Sequence, residues 1–250
     1  LIDVVDPDDP FDAADYARLA KAVVADIHRR DRLPIVVGGT GLYIKALLYG
    51  LFPIPSPPQD IRDRLKAEAE ENGIKRLYAR LMGVDEEAAV RIHPNDAFRI
   101  IRALEIQEAA GRPLSALRRE QGFSSPRYSA FTIGLRMERT ALYDRIDRRV
   151  DRMIADGFLE EVRQLLSAGY SPGLKAMQAI GYRHLVDFDA GRTDWSETVR
   201  LLKRDTRRYA KRQLTWFRKD PGIHWIGPGD LDGLLSGIRA FLETGEGNGP

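Results

Sequence analysis

The stretch Pro34-Ile-Val-Val-Gly-Gly-Thr-Gly-Leu-Tyr-Ile-Lys-Ala-Leu-Leu48 decides the reading of this chain. It opens as a short apolar run of β type, passes through a glycine-rich turn, and continues as an apolar helix. Strand, turn and helix in that order form the repeating unit of an α/β fold with a parallel sheet. Gly38, Gly39 and Gly41 are expected to take positive φ and to let the backbone approach a ligand closely. A helix beginning near Thr40 aims N–H groups without intrahelical partners into the turn, which favours an anion there. The Thr40 hydroxyl adds a donor, and Tyr43 and Lys45 follow on the first turns. No Gly-Lys-Ser/Thr closes the loop, so it is not a Walker A loop. A tight βα turn that needs glycine for its own geometry explains the same residues.

Working outward, residues 1–5 read as a strand, 10–29 as a helix and 33–37 as a second strand, with the helix after the turn running to about Tyr49. Residues 52–58 then hold four prolines in seven positions and read as a rigid extended connector. From Asp60 to about Gln121 the pattern is helical, over 60–72, 74–82, 85–91 and 96–110, punctuated by Gly73, Gly83, His93-Pro94 and Gly111-Arg-Pro113. A strand returns at 128–135. Helices follow at 140–155, 159–168, 177–188 and 196–219, and a short strand at 223–226. The expected architecture is an α/β core (1–51 and 127–250) interrupted by a mostly helical insertion (52–126) between proline-marked hinges near 52 and 126.

At 250 residues, 43% hydrophobic and 30% charged, the chain can bury a substantial core. No apolar run approaches the roughly 18 residues of a membrane span. The absence of cysteine excludes disulfides, zinc–thiolate sites and a cysteine nucleophile, and fits a reducing cytoplasm. His28, His93, His184 and His224 are far apart, with no HExxH spacing, so no histidine-built metal site is expected. The net charge of +2 conceals an asymmetry, since residues 200–219 hold nine basic residues and a single acid, Asp205. Such a segment points to an acidic partner.

Three groups of basic residues stand out. In the helix at 140–155, Leu142, Ile146, Val150 and Met153 form an apolar stripe. Arg149 is read as falling between Leu142 and Met153, near the middle of that stripe, with Arg145, Arg148 and Arg152 off to one side. A guanidinium in an apolar face needs either a buried acid or an anionic ligand, and arginine's planar fork suits a diphosphate. In the helix at 196–219, Arg200, Arg204, Arg207, Arg208, Lys211 and Arg212 recur at helical spacing. That face is either solvated or a polyanion footprint with little acid to neutralise it. Tyr209, Trp216 and Phe217 are core residues or stacking platforms for bases. The third group is Arg91-Ile-His-Pro-Asn-Asp96 with Arg99 and Arg102. Asn95 or Asp96 is a natural N-cap, and the helix start with its arginines would make a phosphate-backbone contact.

In chain order, GGTGLYIKALLYG (38–50), RIHPND (91–96) with Arg99 and Arg102 before Ala-Leu-Glu105, RIDRRVDRM (145–153), AIGYR (179–183) and KRQLTWFR (211–218) make a combined pattern. With it the chain resembles the tRNA dimethylallyltransferase (IPP transferase) family, whose members prenylate N6 of the adenosine 3′ of the anticodon. The resemblance runs from Leu1 to about Trp225. It implies a P-loop-NTPase-like α/β core, a helical insertion gripping the anticodon stem-loop, and a channel that admits dimethylallyl diphosphate at one end and a flipped-out adenine at the other.

The resemblance makes Gly38, Gly39 and Thr40 substrate-binding residues, matches Thr40 to a tRNA-contact position as well, and assigns catalysis to Thr40 and Arg149, Arg149 by stabilising the departing diphosphate. Contacts to tRNA are implied for Arg62, Arg91, Ile92, His93, Pro94, Asn95, Arg99 and Arg102. They are implied too for Ile180, Gly181, Tyr182 and Arg183, and for Arg204, Arg208, Lys211, Arg212, Gln213, Trp216 and Arg218. Mg²⁺ is expected through the diphosphate, and a cytoplasmic monomer is the expected form. The resemblance also implies a GxxxxGK[ST] loop followed by Ser-x-Asp, the aspartate acting as base on the adenine amine. Neither occurs in these residues, and the resemblance puts both upstream of Leu1. A start at leucine, in what reads as mid-strand, leads to the expectation that the numbering begins inside a longer protein. Two other readings remain: a cytokinin-type adenylate prenyltransferase, and an RNA-binding fragment without catalysis if nothing precedes Leu1.

Overall fold

The computed structural model describes residues 1–51, 57–121 and 126–244. Most of the expected proline connector, with the hinge near 52, lies outside the described residues. The described chain falls into two compact units, Leu1–Leu48 with Arg127–Pro250, and Tyr49–Pro126.

The first unit begins with α1 (Ala13–Arg29), whose N-cap Asp12 accepts from the N–H groups of Ala14 and Asp15, while Asp15 reaches back to the Asp12 N–H. This reciprocal cap satisfies donors that the helix itself leaves open. After the glycine loop comes α2 (Gly41–Tyr49). The unit resumes with β1 (Thr132–Leu135), α8 (Arg139–Ala155), α9 (Phe158–Ser167), α10 (Tyr182–Asp189), α11 (Trp195–Phe217), β2 (Ile223–Ile226) and α12 (Leu231–Thr244). β1 and β2 pair in parallel, Thr132 opposite Ile223 and Leu135 opposite Ile226. Phe158, Val162, Met177, Leu185 and Val186 form a core where α9 and α10 meet. Among the described residues no helix is long and apolar enough to cross a membrane.

The second unit is all helical: α3 (Gln59–Asn72), α4 (Ile74–Val84), α5 (Glu86–Arg91), α6 (Ala97–Ala110) and α7 (Leu114–Gln121). Leu65, Leu77, Leu81, Ile100, Leu104 and Leu117 are among the residues of its core. Asp85 ties two helices together, capping α5 through the Ala88 N–H and accepting from the Ser115 N–H at 2.8 Å.

Three expectations are corrected. Residues 1–5 and 33–37 are not strands. Asp3 takes a φ of 59°, which breaks an extended run, and neither segment joins a ladder among the described residues. Ile2 and Val37 are 93% and 90% exposed, so β propensity alone did not make a sheet. The helix expected over 177–188 starts only at Tyr182, because Gly181 sits at φ 105°. Finally, α12 went unread, since Gly233 and Gly237 mask the apolar spacing of Leu231, Leu234, Leu235, Ile238 and Phe241. Phe241 stacks on Phe131 with ring centroids 6.1 Å apart.

Candidate active site and nucleic-acid interface

The glycine loop is built differently from the sequence expectation. None of Gly38, Gly39 and Gly41 has positive φ. Two of them lie directly against α11. A Cβ on Gly39 would lie 2.1 Å from Gln213 Nε2, and one on Gly41 would lie 2.1 Å from Trp216 Nε1. Gln213 Nε2–H donates to the Gly39 carbonyl at 2.9 Å, and the Lys45 ammonium sits 5.9 Å from the Trp216 ring centroid. Of the three, only Gly38 has open space around it. The loop lines an open cleft of about 150 Å³ together with Tyr16, Val36, Val37, Tyr43 and Ile44, and Tyr16 and Tyr43 stack at 4.8 Å. Thr40 is exposed, and its carbonyl accepts from the N–H groups of Tyr43 and Ile44, which starts α2. Gly38, Gly39 and Thr40 line the cleft, and Gly39 and Gly41 also pack against α11.

Arg149 does not enter the apolar face of α8. Ile146 and Val150 are buried, but Arg149 is exposed. At 100° per residue it lies about 20° beyond Leu142, at the rim of the stripe and not inside it. Arg145, Arg148 and Arg152 are exposed on the same side. None of the four pairs with an acid among the described residues. Two aspartates of α8 face elsewhere: Asp147 accepts from Arg207 at 2.6 and 2.7 Å, and Asp151 pairs with Lys203 at 2.6 Å.

On α11 most of the basic stripe is engaged by carboxylates, against expectation, with one of them shared by three arginines. Asp205 accepts from Arg183 at 2.7 Å and Arg204 at 2.9 Å, lies 3.2 Å from His184 Nε2, and pairs with Arg208 at 3.6 Å. The Arg204 hydrogen bond, helped by His184 and Arg183 and opposed by burial, holds its carboxyl far below the usual carboxylate range. Burial lowers the pKa of His184, which accepts the Gly181 N–H at Nδ1, so the neutral ring donates from Nε2 to Asp205. Arg200 is held by Glu197 through two bonds of 2.6 Å. The cations left exposed without an acid partner among the described residues are at the C-terminal end and just beyond it: Lys211, Arg212, Arg218 and Lys219. Arg212 lies over the Tyr209 ring.

Gly181 and Tyr182 have structural duties. A Cβ on Gly181 would meet the Phe158 ring at 2.6 Å. The Tyr182 hydroxyl donates to Glu161, and burial together with that carboxylate raises its pKa to about 12. Ile180 is half-buried.

In the helical unit, Arg62 makes a bidentate pair with Glu105 (2.7 and 3.0 Å), and Arg102 donates to the same carboxylate at 3.0 Å. Arg91, His93, Pro94, Asn95 and Arg99 are exposed around the start of α6, where Asp96 is the N-cap. Arg91 pairs with Glu87 and Arg99 with Asp96. Ile92 is corrected: it is buried in the core of this unit, because the chain turns inward between α5 and α6. Sequence reasoning passed over Phe98, which is 81% exposed between Asp96 and Arg99. An aromatic on the polar face of an amphipathic helix was the available signal.

The pattern of a family described as IPP transferase matches residues 1–220. The tRNA dimethylallyltransferase 1 of Pelobacter propionicus is 54% identical, over 97% of this chain and 79% of its own length. That of Geobacter sulfurreducens is 51% identical, over 97% and 78%. Among solved structures, the full-length tRNA isopentenylpyrophosphate transferase of Bacillus halodurans superposes with a TM-score of 0.64 at 38% identity, covering 97% of this chain and 76% of that one. A eukaryotic dimethylallyltransferase acting on tRNA gives a TM-score of 0.75 at 25% identity, covering 97% and 64%. With this match, and with the motifs distributed over both units, the chain belongs to the IPP transferase family.

Proposed function

We propose that this protein transfers the dimethylallyl group of dimethylallyl diphosphate to tRNA, at N6 of the adenosine 3′ of the anticodon. The observation that carries the reading is the clasp of α11 on the glycine loop. A helix ending in exposed Lys211, Arg212 and Arg218 seats Gln213 and Trp216 against the turn whose Gly38 and Thr40 line the cleft. One element thus serves both a polyanion and a small anionic substrate.

In the reaction the N6 nitrogen forms a bond to the allylic carbon as the carbon–oxygen bond to diphosphate breaks. The bonding pair leaves on the diphosphate, and the N6 proton passes to a base. Negative charge grows on the departing oxygen, where preorganised cations and donors lower the barrier. Arg149, exposed and unpaired among the described residues, is assigned that role, and its fork can engage two oxygens at once. Thr40 donates its hydroxyl to the diphosphate. Mg²⁺ would be held through the diphosphate oxygens, since no group of three or more His, Asp or Glu side chains gathers among the described residues, and would supply further neutralisation of the leaving group. Arg62, Arg91, His93, Asn95, Arg99 and Arg102 are read as contacts to the anticodon stem-loop from the helical unit. Arg183, Arg204 and Arg208, with the C-terminal cations of α11, are read as contacts from the other unit.

Single-turnover transfer from labelled dimethylallyl diphosphate, with an anticodon hairpin and with AMP as rival acceptors, tests the reading. Transfer to the hairpin alone supports it. Preference for AMP would assign a free-nucleotide prenyltransferase, and hairpin binding without diphosphate binding would assign an RNA-binding protein without this chemistry.

A further inference from the structure

Glu105 is only 1% exposed, yet no apolar residue replaces it at the centre of the helical unit. Burial by itself would raise its pKa, but the hydrogen bonds from Arg62 and Arg102 outweigh that, so the carboxyl titrates below its usual range and stays charged. A buried carboxylate of this kind is a weak device for stability, because desolvation offsets most of the attraction. Its geometry suggests another use. Arg62 comes from α3 and Arg102 from α6, and the single carboxylate takes the Nε and one Nη of the first and one Nη of the second. Each guanidinium has five N–H donors, so both retain donors that Glu105 does not occupy. Their side chains remain 39% and 36% exposed. One negative charge against two positive ones leaves the cluster cationic. Arginines held in this way lose less rotamer freedom on meeting a phosphate than free ones do.

We propose that Glu105 is a positioning residue for RNA binding: its buried carboxylate holds Arg62 and Arg102 as one preset pair of phosphate-directed forks. The inference rests on the reading of Arg62 and Arg102 as tRNA contacts. Glu108, one turn further along α6, is the internal control. It pairs with Arg64 and Arg80, which carry no assigned RNA contact.

The experiment measures the Kd of an anticodon hairpin, its dependence on salt, and the melting temperature, for the full-length protein and its variants. Glu105→Gln should weaken binding about tenfold and flatten the log–log salt slope by about one phosphate contact, with the loss falling on KM for tRNA and not on kcat. Glu108→Gln should lower the melting temperature without altering the salt slope. In an Arg62→Ala, Arg102→Ala background, Glu105→Gln should have no further effect on Kd. If that double variant binds RNA like the wild type, the contact reading itself fails. If it binds weakly but Glu105→Gln alone does not, or if Glu105→Gln weakens binding equally in both backgrounds, the positioning role is overturned. Should Glu105→Gln fail to fold, Arg62→Lys decides. It keeps the charge and loses the bidentate grip, so weaker binding supports the proposal and unchanged binding defeats it.

Discussion

Helices α8 and α11 are both rich in arginine, lie against one another, and use their charge in opposite ways. On α11 most of the cations are engaged by acids: Arg204 and Arg208 by Asp205, which also takes Arg183 of α10, Arg207 by Asp147, Lys203 by Asp151, and Arg200 by Glu197. On α8 Asp147 and Asp151 turn toward α11, and Arg145, Arg148, Arg149 and Arg152 are left on the exposed side. The lesson is that a run of basic residues does not measure available charge. A guanidinium that spends donors on a carboxylate has fewer left for a phosphate, whereas an unpaired one keeps all five.

The strongest test of that contrast is Arg149→Ala. Single-turnover transfer should slow by roughly 100-fold with hairpin affinity nearly intact, the size expected when a preorganised donor to the leaving group is lost. An unchanged transfer rate would return α8 to a merely solvated face. Next in size are the loop glycines against α11. Gly41→Ala drives a Cβ into the rigid Trp216 ring and should cost about 2 kcal/mol in chemical denaturation. Gly38→Ala meets nothing within 4 Å, so its stability should stay within about 0.5 kcal/mol of the wild type while the affinity for dimethylallyl diphosphate falls. Equal destabilisation by the two would mean that α11 does not set the loop.

Within α11 itself, replacing Lys211, Arg212 and Arg218 by Ala should reduce the salt slope of hairpin binding by about two. Arg204→Ala with Arg208→Ala should reduce it by less than one, because Asp205 already engages both. Reversal of that order would show that Asp205 presents its arginines to RNA instead of neutralising them.

The smallest effect is that of pH. His184 has a folded pKa below its unfolded value, so between those two values the unfolded state binds more protons and stability falls as pH drops from about 6.5. Asp205 and Glu105, also depressed, contribute stability above about pH 4 that is lost as pH falls further. Melting temperatures between pH 7.5 and 5 should therefore decline modestly, and His184→Gln should remove that part of the decline while leaving the acid-side loss in place.

Much of the secondary structure was legible because its signals are local. Asp96 caps α6 where a short acidic residue precedes an apolar-periodic run, and β2 lies at the four residues read as a strand. What failed needed a partner from elsewhere. Residues 33–37 have every strand propensity and no strand beside them among the described residues. The glycines of the loop were read as ligand-facing, and two of them answer to side chains more than 170 positions away. Arg149 was placed inside a stripe whose edge it occupies, an error of a few tens of degrees that helical geometry at 100° per residue corrects and its exposure agrees with.

The motifs by themselves determined the family resemblance and the kinds of group that chemistry on a diphosphate and an RNA would require, since spacing along the chain is a property of sequence. Tertiary structure alone decided which of those groups are free to act. How many donors an arginine keeps for a phosphate, and how firmly they are held, depends on the carboxylates brought within about 3 Å of it, and those come from distant segments: Glu105 for Arg62, Asp147 for Arg207, Asp205 for Arg183.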